Sequence, residues 1–385
     1  MKEGWTYKKL GEVATYINGY AFKPSEWVET GMPIIRIQNL NNPTAPYNYY
    51  DGEIPAKYEV EYGDILISWS ASLGAYEWKR EKALLNQHIF KVVFDKLNIN
   101  KYFLKYAVEG KINDMLKDVH GATMKHIVKK DFDNTIIPYP SIDVQQQIVS
   151  ELDLLGSVIE KQKAQIEELD KLAQSIFYDM FGDPVENEKG WGVKKLEDIT
   201  SKIGSGATPR GGNQSYKDEG ISLIRSLNVH NNAFIFSDLA YIDDEQAKSL
   251  NNVKVEKDDV LLNITGASVA RCCIVPNIVL PARVNQHVCI LRAKKDMVNH
   301  IYLNRYLTSK EEQAELLSLS KAKAATREAL PKSTVDKILV SLPPLSLQQE
   351  FANKIQAIES MKAKVRQSLK ESETLFNSRM DFYFS

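Results

Sequence analysis

The sequence contains an internal repeat that covers nearly all of its 385 residues. When the chain is aligned with itself, short motifs recur in the same order in both halves, at Trp5/Trp191, Ile35/Ile224, Asn86/Asn285, Tyr102/Tyr302 and Thr123/Thr326. The spacing between paired positions grows along the chain and becomes constant from Thr123 and Thr326 onward. An ordered series of this kind indicates two copies of one structural unit. The chain length also favours two or more domains over a single core.

Each copy begins with a segment of short β-type runs separated by turns rich in Gly, Pro and Asn. The runs are Pro33–Ile37, Asp64–Ser68, Ile89–Phe94, Leu223–Leu227, Asp259–Ile264 and Val288–Leu291. One or two helices are expected to follow, around Asn100–Asp118 and Val298–Leu319. This pattern predicts a globular α+β domain in each half.

Each copy ends with a predicted long helix. Apolar residues recur in alternating steps of four and three from Ile148 to Met180, and the matching positions run from Phe351 to Arg379. A core-facing helix is the simpler interpretation of such a stripe, but two matched stripes of ~35 residues favour an antiparallel coiled coil. The second stripe contains Lys362, Ser372 and Arg379, so we expect its seam to be less apolar.

The ends of the long helices carry specific signals. Asp143-x-x-Gln146 and Ser346-x-x-Gln349 have the spacing of capping boxes, in which the first side chain bonds the first turn. Gly182 and Pro184 predict the end of the first helix. The fold class is therefore α+β, with two similar globular domains separated by two long helices in a pseudo-two-fold repeat. The predicted segments are globular at 1–142 and 185–345 and helical at 143–184 and 346–385.

Composition limits the possible partners and compartments. No apolar run approaches the ~20 residues of a membrane span, and Met1–Trp5 lacks an apolar signal region, so a cytoplasmic protein without membrane partners is expected. The formal net charge of −1 neither indicates nor excludes nucleic acid, because phosphate contacts need local basic patches. Cys272, Cys273 and Cys289 lack metal-ligand spacing and are expected to be buried strand residues.

No catalytic motif is found in the sequence. It lacks a G-x-x-x-x-G-K-[ST] phosphate loop, a G-x-S-x-G elbow and an H-E-x-x-H pair. It also lacks a Gly-rich methyltransferase loop with an Asn/Asp-Pro-Pro-aromatic motif. His88 and His287 each follow Asn-Gln and have no second histidine at ligand spacing. We interpret these triplets mainly as turn structure, with DNA contact as the alternative.

Several polar and basic residues are candidates for DNA contact. Short basic runs occur in both halves and resemble phosphate-contacting surfaces, although such a run is also typical of a solvated face. Arg, Asn and Gln side chains beside aromatic residues could contact base edges. The candidates are Arg36, Gln38, Asn39, Ser68, Trp69, Ser70, Lys79, Arg80, Lys125, Arg225, Asn228, Asn263, Thr265, Arg271, Lys323 and Arg327.

The combination of motifs resembles the specificity (S) subunit of type I restriction-modification systems. The likeness rests on the following motifs: Gly4-Trp5 with Leu10-Gly11-Glu12, Gly63-Asp64-Ile65-Leu66, Asn86-Gln87-His88, Gly121-Ala122-Thr123, Pro138-x-Pro140 with Gln145-Gln146, Met180-Phe181-Gly182-Asp183-Pro184, and Gly204-Ser205-Gly206-Ala207-Thr208-Pro209. It covers essentially the whole chain.

The resemblance implies a non-catalytic subunit with two target recognition domains, each reading one half of a split site in double-stranded DNA. It further implies that the helices hold two methyltransferase (M) subunits, and that restriction and motor (R) subunits join the full complex. S-adenosylmethionine, ATP and Mg are expected on those partners, with no cofactor bound here directly. The expected partner-binding residues lie at the starts of the helices: Gln145, Gln146, Ile148, Leu152, Gln348, Gln349, Phe351 and Ile355.

Two further expectations follow from the repeat. A helical spacer of fixed length suits half-sites about one DNA turn apart, so a change in helix length should change the unread gap alone. The loops Asn41–Tyr50 and His230–Ser237 differ between the copies, which predicts an asymmetric site. Two alternatives remain open: a coiled-coil adaptor without sequence-specific DNA binding, and the recognition subunit of a type IIB-like modification enzyme.

Overall fold

The computed structural model of the protein describes residues 4–70, 72–117, 127–322 and 328–385. By its contacts the chain forms two compact units. Unit 1 comprises Met1–Lys163 and Arg366–Ser385, and unit 2 comprises Ala164–Val365. Each unit therefore combines one globular domain with the first part of one long helix and the last part of the other. The four predicted segment boundaries, which place both helices outside the domains, remain a prediction.

The first half of the chain contains ten strands and five helices among its described residues. The strands are β1 Thr6–Lys9, β2 Thr15–Asn18, β3 Met32–Ile35, β4 Asn48–Tyr50, β5 Glu59–Val60, β6 Ile65–Ser68, β7 Gly74–Glu77, β8 Ala83–Leu85, β9 Ile89–Val93 and β10 Ile136–Tyr139. The helices are α1 Leu10–Val13, α2 Ile37–Asn41, α3 Lys101–Lys117, α4 Lys129–Asn134 and α5 Ile142–Phe181.

The described part of the second half repeats this order with a few additions. The strands are β11 Gly192–Lys195, β12 Thr200–Ser205, β13 Ile221–Ile224, β14 Val229–His230, β15 Ala233–Phe234, β16 Ala240–Ile242, β17 Lys254–Val255, β18 Val260–Asn263, β19 Cys272–Ile274, β20 Ala282–Val284, β21 Val288–Ala293 and β22 Leu339–Leu342. The helices are α6 Leu196–Ile199, α7 Asp244–Ser249, α8 His300–Leu307, α9 Lys310–Ala322, α10 Lys332–Val335 and α11 Leu345–Phe384.

The two halves share one sheet topology, which confirms the internal repeat and the α+β class. Unit 1 has sheets ordered β2-β9-β6-β7 and β4-β3-β8-β5, and unit 2 has the matching orders β12-β21-β18-β19 and β16-β13-β20-β17. The pairs β1-β10 and β11-β22 join the first strand of each half to the strand before its long helix. The hairpin β14-β15 has no counterpart in the described part of unit 1 and lies in the loop region expected to differ.

The predicted strands and helices are confirmed, with three adjustments. The run Pro33–Ile37 ends as a strand at Ile35 because α2 begins at Ile37, and the run Leu223–Leu227 ends at Ile224 because a 3-10 turn begins at Ser226. The helical segment Val298–Leu319 is split into α8 and α9. Thr308 leaves the helical conformation there, and the Ser309 hydroxyl accepts the backbone N–H of Glu312 at 3.4 Å, which caps the next helix.

The long helices pack antiparallel within each unit. In unit 1 the Gln162 amide donates to the Ser368 hydroxyl at 2.9 Å, and in unit 2 the ring centroid of Phe177 lies 5.7 Å from that of Phe351. None of the predicted seam positions is exposed. The α5 helix ends where expected, because Gly182 adopts a positive φ of 75° that a side chain would disfavour.

The capping-box prediction is wrong. Helices α5 and α11 begin at Ile142 and Leu345, so Asp143 and Ser346 lie inside the first turn. The residues that fix these helix starts are Gln145 and Gln348, one position before the predicted glutamines. Both are fully buried and bond backbone groups of the globular domain.

The second helix has the less apolar seam that was expected, and its charged residues form ion pairs. The buried Lys362 ammonium lies 2.5 Å from the Asp170 carboxylate and 3.1 Å from that of Glu359. Arg379 forms two bonds to the Glu151 carboxylate, at 2.5 and 3.0 Å. These pairs satisfy polar groups that an apolar seam would leave unpaired.

Each long helix ends in a core of its unit. Phe384, at the end of α11, is fully buried in the unit 1 core with Leu10, Phe103 and Phe132. Phe181, at the end of α5, is buried in the unit 2 core with Tyr302 and Phe351. None of the helices in the described ranges combines the length and apolar character that crossing a membrane requires.

Candidate nucleic-acid interface

In unit 1, several strands end at the same edge of the globular domain. Strands β3 and β8 are parallel, so the residues that follow them, Arg36 and Asn86, leave the sheet together. The Asn86 backbone N–H donates to the Ile35 carbonyl at 3.3 Å. Strand β6 is antiparallel to β9, which pairs its last residue Ser68 with Ile89. The topology thus brings three predicted segments together, and we name this region the strand-end edge.

Unit 2 has the same edge in the same construction. Arg225 follows β13 and Asn285 follows the parallel β20, and the Asn285 N–H donates to the Ile224 carbonyl at 3.1 Å. Asn263 at the end of β18 pairs with Val288 of β21. The two strand-end edges therefore have one framework.

At each strand-end edge, a loop that begins with glycine packs directly against the neighbouring backbone. A Cβ atom on Gly19 would lie 2.0 Å from the Asn86 carbonyl oxygen, and one on Gly206 would lie 1.8 Å from that of Val284. No side chain fits at either position. The loops Gly19–Lys23 and Gly206–Arg210 consequently lie beside the Asn-Gln-His turns.

These loops contain residues that the sequence analysis missed. The Thr208 hydroxyl donates to the Gln286 side-chain oxygen at 2.5 Å, and the Gln87 N–H donates to the Tyr20 carbonyl at 2.9 Å. Gln286 and the basic residues Lys23 and Arg210 are exposed. The shared spacing Gly-x-x-x-Lys/Arg at Gly19 and Gly206 was the available signal.

The predicted asparagine candidates are framework residues. Asn39 is fully buried; its side-chain oxygen accepts the Arg36 N–H at 3.0 Å and its amide donates to the Ala45 carbonyl at 3.1 Å. Asn228 makes the same bonds, to the Arg225 N–H at 3.0 Å and the Ile235 carbonyl at 2.9 Å. With donors and acceptors satisfied inside the domain, neither side chain faces a base.

Three other candidates are also buried. Ser68 and Ser70 lie inside unit 1, where the Ser68 hydroxyl donates to the Ser70 carbonyl at 3.1 Å. Asn263 is fully buried in unit 2 and its amide donates to the Ser226 carbonyl at 2.9 Å. These side chains position the edge and do not line its surface.

The arginine candidates of unit 1 are half-buried and held by aromatic and amide groups. The Arg36 guanidinium lies 5.3 Å from the Trp27 ring centroid and donates to Asn48 at 2.9 Å. Arg80 donates to the Tyr47 hydroxyl at 2.7 Å and to the Asn39 carbonyl at 2.9 Å. Both positive charges stay near the edge in fixed orientations.

The remaining unit 1 candidates differ in position. Gln38 is exposed beside Asn39. Lys79 is exposed and lies 3.2 Å from Glu77, just beyond the end of β7. Because β7 is antiparallel to β6, this places Lys79 at the opposite end of the sheet from Ser68.

Aromatic contacts shape the unit 1 edge. The ring centroid of Trp69 lies 4.9 Å from that of His88 and 5.7 Å from that of Phe90, and its indole N–H donates to Asn18 at 3.1 Å. His88 is exposed at a positive φ of 73°. The edge of unit 1 is thus an aromatic surface.

In unit 2, the histidine of the Asn-Gln-His turn makes hydrogen bonds where that of unit 1 makes aromatic contacts. The Thr265 hydroxyl lies 2.5 Å from His287 Nδ1, and the His287 N–H donates to the Asn285 side-chain oxygen at 3.0 Å. The latter bond supports the interpretation of Asn-Gln-His as turn structure. Arg225 stacks 5.3 Å from the Tyr216 ring centroid and donates to the Asp238 carbonyl. Arg271 lies 3.5 Å from His230.

Some predicted residues cannot be placed. Lys125, Lys323 and Arg327 lie outside the described residues, as do the motif residues Gly121, Ala122, Thr123 and Thr326.

Most of the predicted partner-binding residues are buried within the chain. Gln145, Ile148, Leu152, Gln348, Phe351 and Ile355 lie in the cores of the two units. Gln146 and Gln349 are exposed. Because the first six side chains are buried, the expectation that they contact a partner is corrected. Any effect that they have on docking would come from the position they give to the helix.

The cysteines are buried, as predicted, and unsuited to metal binding. All three are free thiols. Burial raises the pKa of Cys273 and of Cys289 to about 12 and that of Cys272 well above its usual value, so the thiolate form is suppressed. Within the described ranges, no group of three or more His, Cys, Asp or Glu side chains could hold a metal ion.

Solved structures from type I restriction-modification systems share this fold. The S subunit of the type I restriction-modification system from M. genitalium superposes with a TM-score of 0.60 at 14% identity, over 99% of this chain and 96% of that one. A chain from a study of complex assembly and conformational transition of the type I R-M system gives a TM-score of 0.58 at 18% identity, over 100% and 98%. The fold defines a class of two-domain, helix-linked proteins.

The sequence comparisons identify the family within this class. Residues 2–171 and 188–371 match the model described as the type I restriction modification DNA specificity domain, and the chain belongs to that family. It is 25% identical to the type I restriction enzyme EcoBI specificity subunit of Escherichia coli, over 98% of this chain and 84% of that protein. It is 23% identical to the putative MjaX specificity subunit of Methanocaldococcus jannaschii, over 93% and 88%.

The chain is accordingly a DNA sequence-recognition subunit, which is a non-catalytic role in type I systems. The family implies DNA and other restriction-modification subunits as partners. This family assignment favours DNA recognition over the adaptor alternative.

Proposed function

We propose that each unit reads one half of a bipartite, asymmetric site in double-stranded DNA through its strand-end edge. The observation that carries this proposal is one framework with different side chains beside the same Asn-Gln-His turn. The half-buried Trp69 ring lies against His88 in unit 1, whereas the half-buried Thr265 bonds His287 in unit 2, and Lys23 in one glycine loop corresponds to Arg210 in the other. Equal frameworks give equal docking, and unequal side chains give unequal half-sites.

The exposed and half-buried polar groups suit base and phosphate contacts. A glutamine amide can bond adenine through two groups, and arginine can bond guanine in the same way. We assign base contact to Gln38 and Gln87 in unit 1 and to Gln286 and Arg210 in unit 2. Arg36, Arg80, Arg225 and Arg271 place positive charge near the edge, and we assign them to phosphates or base edges. Lys79 lies at the other end of the sheet, and we assign it no contact at the edge.

The test is co-expression with the methyltransferase of the same restriction-modification system, followed by genome-wide mapping of adenine methylation. We expect methylation at a split motif with two different halves. Methylation that is unchanged when this chain is omitted would contradict the proposal.

We also propose that the chain docks two M subunits, one on each unit. Exposed apolar residues recur at equivalent positions of the repeat: Ile136/Leu339, Ile142/Leu345 and Leu172/Leu375. Each unit holds one member of every pair. Exposed apolar side chains that occur at matched positions favour two copies of one protein partner.

Native mass spectrometry of the co-expressed complex tests this stoichiometry. We expect two M subunits per chain, and one for Leu172→Asp or Leu375→Asp. Leu154→Asp is the matched control, because Leu154 is 64% exposed on the same helix and its repeat position is the small Ala357. Two M subunits on both variants would contradict the docking sites.

The remaining partners follow from this assignment. S-adenosylmethionine would bind the M subunits, and ATP with Mg would bind R subunits that join the complex. This chain would bind no cofactor directly and would act in the cytoplasm. Dialysis of the purified chain against each cofactor tests this: retention of S-adenosylmethionine by the chain alone would count against it.

A further inference from the structure

Unit 2 contains a cavity of about 460 Å³ that shares no residue with the strand-end edge and shares only Leu339 with the positions proposed for M docking. Its walls come from β11, β22, α8, α9, α10 and the segment that follows α5. The residues used below are Val185, Val193, Tyr306, Glu312, Glu315 and Leu339. A volume of this size is typical of pockets that hold small organic molecules.

The mouth of the cavity combines three exposed apolar residues with the exposed polar residues Glu315, Ser333 and Lys337. Val185, Val193 and Leu339 line it and are 49%, 50% and 59% exposed. Farther in, Leu319 and Ile338 continue the apolar wall. Apolar side chains held at an open cavity lose contact with water when an aliphatic group enters.

A carboxyl group faces this apolar interior. Glu312 is 4% exposed and lines the cavity, and its carboxyl has no hydrogen-bond or ion-pair partner among the described residues. Burial, followed by the nearby Glu315, raises the pKa of Glu312 to about 8. Burial and the charge of Glu312 also raise the pKa of Tyr306, which places the two groups close together.

Tyr306 lies at the same place and has hydrogen-bond partners of its own. Its hydroxyl lies 3.2 Å from the Pro184 carbonyl and 3.1 Å from the Leu339 carbonyl, and Ser341 also bonds it. Lys337 also lines the cavity, but it is exposed and no contact ties it to Glu312. Among the described residues that line the cavity, Glu312 is therefore the buried acidic group without a bonded donor.

We propose that this cavity binds a small aliphatic amine, with its ammonium group on Glu312 and its carbon chain against the apolar walls. An ionised carboxylate buried without a partner is costly, and an ammonium group supplies the missing charge and donors. Glu315 lies on the same face of α9, one turn onward and exposed. A four-carbon diamine could reach both carboxylates.

The sign of the pH dependence follows from the groups around Glu312. Besides Glu315 on α9, the titratable groups of the cavity are Tyr306 on α8 and Lys337 after α10. The amine binds the ionised carboxylate, whereas the empty cavity holds the protonated form below about pH 8. Affinity should rise about tenfold per pH unit up to that value and then level off.

Calorimetric titration of the full chain tests the proposal, with butane-1,4-diamine, butan-1-amine and butan-1-ol as probes. We expect both amines to bind with proton release below pH 8 and the diamine to bind more tightly. Glu312→Gln should abolish amine binding, and Glu315→Gln should remove the advantage of the diamine alone. Val185→Trp should block the mouth and lower the affinity for every probe.

The controls separate binding from folding and from DNA recognition. Glutamine mimics the protonated carboxyl, so Glu312→Gln should melt at the wild-type temperature and methylate the same DNA motif. Equal binding of butan-1-ol and butan-1-amine would overturn the amine assignment. Absence of binding by the wild type, or unchanged binding by Glu312→Gln, would overturn the site.

Discussion

The two units use the same hydrogen bonds to hold their long helices and different contacts to build their surfaces. The Gln145 side-chain oxygen accepts the Asn100 N–H at 2.9 Å, and Gln348 accepts that of Asn299 at 2.9 Å. Their amides donate to the carbonyls of Pro140 and Pro343, at 2.9 and 2.8 Å. These bonds repeat almost without change.

The surfaces repeat in position but not in chemistry. Where Trp69 stacks beside His88 in unit 1, Thr265 bonds His287 in unit 2. The seams differ in the same way, with Arg379 paired to Glu151 in one unit and Lys362 paired to Asp170 in the other. Repeated motifs in this chain therefore mark framework, and recognition depends on the side chains placed between them.

Replacement of the buried phenylalanines at the helix ends should lower the free energy of unfolding most. Each replacement should destabilise a different unit. Phe384→Ala and Phe181→Ala each delete a ring packed in a core, which costs about 3–5 kcal/mol in the free energy of unfolding. Hydrogen exchange should show lost protection in unit 1 for Phe384→Ala and in unit 2 for Phe181→Ala.

Phe382→Ala provides the control, because Phe382 is 56% exposed, and its cost should stay below about 1 kcal/mol. Lost protection in the same unit for both core variants would contradict the pairing of helix ends with domains.

The matched glutamines should give equal, intermediate effects. Gln145→Ala and Gln348→Ala each leave a half-buried N–H and a buried carbonyl without a partner, which costs about 2–3 kcal/mol. Denaturant unfolding of both variants measures this cost, and the exposed Gln146→Ala serves as the reference. A difference of more than about 1 kcal/mol between Gln145→Ala and Gln348→Ala would show that the two joints are not equivalent.

The seam charge pair of unit 1 should give the smallest effect, with a defined pH dependence. The hydrogen bond from Arg379, followed by that from Tyr383, lowers the pKa of Glu151. This stability is present above the ordinary carboxyl pKa and is lost as the pH falls through the lowered value. Because the pair is partly solvated, Arg379→Met should cost less than about 1 kcal/mol at pH 7.

Thermal melts of wild type and Arg379→Met at pH 7 and pH 3 measure this difference. The gap in melting temperature should narrow at pH 3. A gap that widens in acid would rule out the Glu151 pair as its cause.

The sequence predicted the architecture well because its signals are local or repeated. The seam of α5 and α11 follows from apolar spacing, and the end of α5 follows from Gly182. The helix starts were misassigned because Gln145 and Gln348 bond backbone groups of Asn100 and Asn299, far away in sequence. Such long-range bonds have no local spacing pattern.

The sequence predicted which segments form the candidate site. It did not predict which side chains of those segments are exposed. Parallel pairing of β3 with β8 brings Arg36 and the Asn-Gln-His turn together, as the motif positions suggested. Burial then separates framework from surface, since Asn39 bonds inward and Gln38, its neighbour, is exposed. Which of two adjacent polar residues faces solvent depends on tertiary packing, so composition cannot decide it.

Paired methylation mapping of Gln87→Ala and Gln286→Ala tests the central claim most directly. Each variant would be co-expressed with the methyltransferase, and the relaxed positions of its motif compared with the wild type. Loss of a bidentate base contact should weaken discrimination by about 1–3 kcal/mol at single positions. We predict relaxation in one half-site for Gln87→Ala and in the other for Gln286→Ala. Relaxation of the same half-site by both variants would contradict separate reading by the two units.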